Sequence, residues 1–292
     1  MSLLTGWYPP TKEHYDTLLT IWKCYPVFAS LQWLVGWYGM GKTNTPSRLN
    51  IPGRLAWLTM ECPGFLSLLH AMRTLPSQAG LTLSDLPWQN KVLAALFVIH
   101  YTYRALLFPF LQPSMAPIHA LVWLFAGVFQ VFNGTLIGSW LAAYGPTTGE
   151  AWEAQLWGGT AQFVFGISLF YFGLATNYYH DDELREIRRR EMARQERIAR
   201  KEGRDPRSVS KHYSVPEAGF FKYMLYPHYF VEWVEWTGFW IACGWRCAPA
   251  MMFVVNEVAA MLPRAVRGKG WYEEKFGKEK IRGRWAVIPG VI

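Results

Sequence analysis

Val92-Leu-Ala-Ala-Leu-Phe-Val-Ile-His100-Tyr101-Thr-Tyr103-Arg104-Ala-Leu-Leu-Phe-Pro109-Phe-Leu111 is a nearly continuous apolar run interrupted by an imidazole, two phenols and a guanidinium. Its length matches the roughly 20 residues that an α-helix needs to cross a bilayer. Ionisable groups at membrane depth are costly, and they tend to face a cavity or a partner rather than lipid. The stretch therefore reads as a transmembrane helix with a polar task.

The composition agrees. The chain has 292 residues, 51% hydrophobic and 17% aromatic, with 16 tryptophans and only 17% charged residues. Ordinary soluble chains carry about 25% charged residues. These values exclude a disordered, collagen-like or coiled-coil chain and fit aromatic belts at two membrane interfaces. Four cysteines make no disulfide framework. Lys12, Glu13 and Asp16 precede the first apolar run and no small-residue cleavage site follows, so no removable signal peptide is expected.

Four more apolar runs flank the first, at Thr17–Met40, Leu55–Met72, Pro117–Tyr144 and Leu156–Tyr179. The stretch Ala218–Leu262 is too long for one helix and is broken by Pro227 and Pro249. It divides into an interfacial lead-in, a span over about His228–Trp245 and another over about Cys247–Leu262. The expected fold is all-α, a polytopic membrane protein with seven transmembrane helices and no separate soluble domain. Residues 1–50 form the first span and its turn, and residues 51–292 form the rest of a single domain.

The net charge of +8 is concentrated in loops, so it calls for no nucleic acid. Arg48 and Arg54 follow the first span. Arg185–Arg204 is crowded with arginine, and so is the tail from Arg264 onward. The loop Gly145–Gln155 has Glu150 and Glu153 and no basic residue. With seven spans, all three basic segments fall on the cytosolic side, as the positive-inside rule requires. Asp182–Arg204 alternates acid with base and reads as a solvated helix or as a contact with the membrane surface.

Two motifs mislead. Gly36-Trp-Tyr-Gly-Met-Gly41-Lys42-Thr43 spells a phosphate loop, but it follows an apolar run and precedes Pro46 and Pro52, not a helix. Cys243 and Cys247 have no histidine cluster beside them and read as small core residues, so no metal is expected. The informative residues are polar groups inside apolar runs. They are Glu61, Arg104, the pair Glu232 and Glu235 on one helical face, and Asn177 with Asp181. Singly, each could be an interhelical hydrogen bond. Together they describe a polar cavity open to the cytosol. Arg185 and Arg188 extend the Asn177/Asp181 face, and carboxylates beside arginines suit a ligand with hydroxyls and phosphates.

These residues fall in an ordered set of motifs. Ile51-Pro-Gly-Arg54-Leu-Ala-Trp57 with Glu61-Cys-Pro63-Gly-Phe65 is followed by His100-Tyr101-Thr-Tyr103-Arg104 and then Asn133-Gly134. Next come Asn177-Tyr-Tyr-His-Asp181 with Leu184-Arg185 and Arg188, and Tyr213-x-x-Pro216-x-x-Gly219-x-Phe221-x-Tyr223. Glu232-x-x-Glu235-Trp236, Trp271-Tyr272-x-x-Lys275-Phe276 and Ala286-x-Ile288-Pro289 complete it. From about Ile51 onward the chain resembles the steroid 5α-reductase family of membrane enzymes with seven helices. The resemblance implies reduction of a carbon–carbon double bond conjugated to a carbonyl in a lipid, with NADPH as cofactor, in the endoplasmic-reticulum membrane. It implies that Glu61 and Tyr101 bind the carbonyl. It also implies that Asn177, Asp181, Arg185, Arg188, Tyr213, His228, Glu232, Arg264 and Tyr272 surround NADPH. Glu61 must be protonated to donate, and an apolar span suits a neutral carboxyl.

Three positions depart from the animal steroid enzymes. Pro227-His228-Tyr229 is more like the polyprenol-reducing branch, Phe125 replaces an arginine, and Gly268-Lys269 replaces a His-rich stretch. Three alternatives stand beside a 3-oxo-Δ4 steroid reductase. A very-long-chain trans-2-enoyl-CoA reductase usually carries a ubiquitin-like domain, which is not expected before Thr17. An S-adenosylmethionine-dependent membrane methyltransferase needs no paired donors on a ketone. A non-enzymatic helical scaffold leaves the motif order unexplained. The topology is directly testable. In sealed microsomes a tag in Gly145–Gln155 is expected to be protected from added protease, and one in Arg197–Arg207 to be cleaved; protection or cleavage of both refutes the span count.

Overall fold

The computed structural model describes residues 5–41, 44–203, 205 and 214–292. Among the described residues there are nine α-helices. They are α1 (Lys12–Ser30), α2 (Gly53–Gln78), α3 (Trp88–Tyr101), α4 (Phe108–Leu111), α5 (Ala120–Ser139), α6 (Gly149–Gln155), α7 (Gly159–Lys201), α8 (Pro227–Cys243) and α9 (Ala248–Phe276). A π-helical turn, Thr102–Leu107, joins α3 to α4, and another, Trp140–Tyr144, extends α5. The short strands β1 (Asn50–Ile51) and β2 (Ile118–His119) pair antiparallel, with Asn50 opposite His119.

Among the described residues, four helical segments are long and apolar enough to cross a membrane: Trp88–Leu111, Ala120–Tyr144, Gly159–Lys201 and Ala248–Phe276. The expected spans Thr17–Met40, Leu55–Met72 and His228–Trp245 fall on α1, α2 and α8. The first two are not apolar enough by the same measure, and α8 has 17 residues. The first span is also shorter than expected. Its α-helix stops at Ser30, a 3-10 turn runs to Trp33, and the chain is irregular through Gly39. Gly39 sits where a Cβ would come within 2.6 Å of the His119 Cβ, so this segment is folded over the start of α5. Gly41 has φ +67°, Lys42 and Thr43 lie outside the described residues, and residues 44–47 are irregular.

The two breaks read from proline are present. Pro227 and Pro249 sit in the first turns of α8 and α9, where a missing N–H costs nothing. Gly244 and Gly277 follow their last residues with φ +86° and +84°. Cys243 and Cys247 are both buried but lie on opposite sides of this break, not within one span. Span five and the charged segment after it form one uninterrupted helix, α7, because no proline or glycine stands between Leu174 and Lys201.

Two helix pairs come into backbone contact. In the first, a Cβ on Gly134 of α5 would lie 1.8 Å from the Gly64 carbonyl oxygen of α2, and one on Gly138 would lie 2.7 Å from the Leu68 Cα. In the second, Gly166 of α7 lies against Gly238 and Ala242 of α8, and Gly173 against the backbone of Glu235. Small residues permit this approach where lipid supplies no hydrophobic drive between helices. Between the pairs, α3 contributes Phe97 and Tyr101 to an aromatic core with Phe170, Trp236, Phe239 and Phe253. Over-packing a tight contact costs about 1–3 kcal/mol. Gly134→Ala should therefore lower the melting temperature in detergent. Gly127→Ala, on the same helix with no atom within 4 Å of its added Cβ, should leave it unchanged or raise it. Equal melting of the two variants would refute the packing account.

Candidate active site

Tyr101 ends α3 and is 2% exposed. Its phenol oxygen accepts a hydrogen bond of 3.2 Å from Asn133 Nδ2 of α5. Glu61 comes from α2, across the close contact with α5, and its Oε2 accepts from Gln130 Nε2 at 2.6 Å. Gly64, three residues after Glu61 on α2, lies against both partners: a Cβ there would be 2.6 Å from Gln130 Oε1 and 3.5 Å from Tyr101 Cε1. The glycine packing of α2 on α5 thus brings together the two groups singled out from separate apolar runs. A phenol and a protonated carboxyl in one apolar setting can donate two hydrogen bonds to a single oxygen.

The π-helical turn after Tyr101 carries the second half of the site. π-Turns inside α-helices recur at functional positions. In this register Phe108 N–H bonds to the Tyr103 carbonyl. The next residue, Pro109, has no N–H to offer Arg104. The indole N–H of Trp57 fills that place, donating to the Arg104 carbonyl at 2.9 Å. The Arg104 guanidinium lies 5.1 Å from the Trp57 ring centroid and 4.8 Å from that of Phe108. Arg54 in turn donates to the carbonyls of Pro109, Gln112 and Pro113, which closes the end of α4.

Arg104 reaches two carboxylates on different helices. Its Nη1 is 3.4 Å from Asp181 Oδ2 of α7, and its Nη2 is 3.7 Å from Glu232 Oε2 of α8. Asn177 Nδ2 donates to Glu232 at 3.3 Å, and Tyr103 OH donates to Asp181 at 3.3 Å. Arg185 Nη1 donates to Tyr103 OH at 3.2 Å and pairs with Asp182 on its own helix. One turn earlier, His100 Nδ1 lies 2.7 Å from Glu235 Oε1 and its Nε2 lies 3.9 Å from Glu232 Oε1. Buried ion pairs offset their desolvation only when geometry and further hydrogen bonds are good. This network meets that need through partners from three helices.

The remaining candidates are less central. Arg264 of α9 lies over the Tyr38 ring at 4.9 Å and donates to Tyr38 OH. His228 packs among Phe221, Tyr226 and Tyr229, one helical turn before Glu232. Tyr272 packs with Val215, Leu225 and Ile281, beside Tyr226. Arg188 is half-buried on α7, and the described contacts do not bring it to the cluster. Tyr213 lies outside the described residues. Phe125, where the animal enzymes have arginine, is 65% exposed on the outer face of α5.

Gln130, Glu257 and Tyr38 were not singled out from sequence. Gln130 and Glu257 carry the same signal that marked Glu61, a polar residue inside an apolar run. Glu257 lies within electrostatic reach of Arg264, Glu232 and Glu61. Tyr38 carries no local signal, since it reaches Arg264 only through the fold. Among the described residues, no group of three or more His, Cys, Asp or Glu side chains is arranged to hold a metal ion.

Comparison with known proteins gives a consistent picture. A family profile described as 3-oxo-5-alpha-steroid 4-dehydrogenase matches residues 116–292. The chain is 30% identical to 3-oxo-5-alpha-steroid 4-dehydrogenase 1 of Bos taurus over 85% of each chain. It is 26% identical to a steroid 5-alpha-reductase of Solanum lycopersicum over 91% of each. An uncharacterized protein of Schizosaccharomyces pombe is 33% identical over 82% of this chain and 84% of its own. With a matching profile over more than half its length and relatives aligned over most of it, the chain belongs to the 3-oxo-5-alpha-steroid 4-dehydrogenase family, the steroid 5α-reductases.

Proposed function

We propose that the protein is a membrane oxidoreductase that reduces a carbon–carbon double bond conjugated to a carbonyl, in a lipid of the 3-oxo-Δ4 steroid class, with NADPH as donor. The observation that carries this reading is that Tyr101 and Glu61, inside apolar helices, are held by two amides three residues apart on one face of α5. As the β-carbon is reduced, negative charge builds on the carbonyl oxygen. The Tyr101 hydroxyl and a protonated Glu61 donate to that oxygen and stabilise the charge. Neither an enoyl-CoA reductase nor a methyltransferase is better supported by the relatives. The same reading puts seven spans in the endoplasmic-reticulum membrane, with the arginine-rich half of α7 in the cytosol.

The residues beside Arg104 fit the cofactor. NADPH supplies the hydride when bound. The amide oxygen of Asn177 is buried without a hydrogen-bond partner among the described residues, so it can accept from a ribose hydroxyl or a carboxamide. Asp181 and Glu232 add carboxylates for hydroxyls. Arg185 supplies a guanidinium for phosphates, which Arg can grip through two oxygens, and Arg188 further along α7 joins it on family grounds. Tyr213, His228, Arg264 and Tyr272 complete the set on family grounds.

Two measurements test the reading. With NADPH and a panel of steroid enones, polyprenols and enoyl-CoA thioesters, Tyr101→Phe and Glu61→Leu should lower turnover by about 10²-fold or more, the usual cost of losing an oxyanion donor. Glu61→Gln, which still donates, should suffer less than Glu61→Leu. Near-normal turnover of Tyr101→Phe would refute the catalytic pair. Separately, NADPH should raise the melting temperature of the wild type, and Arg185→Ala should shrink that rise beyond any change in its ligand-free melting. A wild-type rise with S-adenosylmethionine and none with NADPH would overturn the reductase reading.

A further inference from the structure

Glu61 and Tyr101 can serve a carbonyl only if their hydrogens point toward it. A phenol hydrogen rotates freely, and a protonated carboxyl can carry its hydrogen on either oxygen. Something must choose. Gln130 and Asn133 lie three apart on α5 and so share one face. Both are buried, at 7% and 0% exposure, in a mainly apolar helix whose other buried polar side chains are the hydroxyls of Thr135 and Ser139. Each turns an amide N–H toward one member of the pair, Gln130 to Glu61 and Asn133 to Tyr101.

The direction of these bonds matters more than their number. Glu61 Oε2 accepts from Gln130, which makes it the acceptor oxygen and leaves Oε1 to carry the proton. The Tyr101 oxygen accepts from Asn133, so its own hydrogen cannot be spent on that partner and turns elsewhere. We propose that Gln130 and Asn133 are positioning residues that orient the hydrogens of Glu61 and Tyr101 outward, toward the substrate carbonyl. This rests on the reading of Glu61 and Tyr101 as the carbonyl-binding pair.

The surrounding packing supports a dedicated arrangement. The carbonyl oxygen of the Gln130 amide makes no hydrogen bond among the described residues and lies where a Cβ on Gly64 would come within 2.6 Å. The same glycine admits Gly134, the neighbour of Asn133. A side chain at 64 would therefore displace both Gln130 and the helix that carries Asn133. An amide that merely filled space would not need its N–H group aimed at a reacting group while its oxygen goes unpaired, since an unpaired buried acceptor has a cost.

The test measures binding, so it does not depend on turnover. Full-length protein in nanodiscs, saturated with NADP+, is titrated with a 3-oxo-Δ4 steroid and with the same steroid lacking the 3-oxo group. The ratio of the two affinities reports the donors at the carbonyl. Binding of the deoxy steroid reports an intact pocket. Gln130→Met and Asn133→Leu should each shrink the ratio by about tenfold, the worth of roughly one hydrogen bond. They should leave deoxy-steroid binding within about twofold and lower kcat with little change in KM for NADPH. Tyr101→Phe is the reference. If it shrinks the ratio while neither amide variant does, the positioning proposal falls and the catalytic pair stands. The proposal falls equally if the amide variants weaken both steroids alike, which is the mark of a structural role. If the wild type shows no preference for the ketone, or Tyr101→Phe keeps the preference, the catalytic pair itself is wrong and the proposal falls with it.

Discussion

The polar interior depends on helices that touch backbone to backbone. Gly64 against Gly134 and Gly173 against Glu235 set the separation of α2 from α5 and of α7 from α8. A side chain of any size at these contacts would push the pairs apart. Glu61 would then lose Gln130, and Asn177 would lose Glu232. In a bilayer no hydrophobic force restores such contacts, because lipid tails are as apolar as the side chains. The hydrogen bonds of the site therefore depend on three glycines that carry no chemistry themselves.

The helix between these pairs, α3, divides its polar residues between them. Tyr101 turns to α5, His100 to Glu235 of α8, and Arg104 to Asp181 and Glu232. The π-helical turn that follows Tyr101 is held open by Pro109, which cannot donate, and by Trp57, which donates in its place. One local irregularity thus couples the phenol of the candidate catalytic pair to the arginine at the centre of the ionic network. The carbonyl end and the cofactor end of the proposed site share a rigid element. His100, Tyr101, Tyr103 and Arg104 are each partnered from another helix, which is what makes their burial tolerable.

The departures from the animal enzymes are informative in this frame. Phe125 faces outward on α5, well before Gln130 and Asn133 in the helix, so its identity bears on the outer part of the chain rather than on the donors. His228 stands among aromatic rings one turn from Glu232. Gly268 lies directly against Tyr226, where any side chain would collide with the phenol oxygen.

Much was legible in the residues alone. Hydrophobic run length is a local property, so the helical stretches and the breaks at Pro227 and Pro249 were readable without a fold. Burial cost is also local: an ionisable residue in an apolar run must find a partner, and Glu61, Arg104, Asp181 and Glu232 were marked on that ground. Which partner each finds is not local. The pairing of Gln130 with Glu61, of Glu235 with His100 and of Tyr38 with Arg264 spans 69 to 226 positions of chain, and no periodicity encodes it. The early end of α1 also depended on what packs beside it. Sequence determined that the chain carries costly polar groups at membrane depth. The tertiary structure decided which of them meet, because only the approach of helices at their glycines brings a donor within bonding distance of its acceptor.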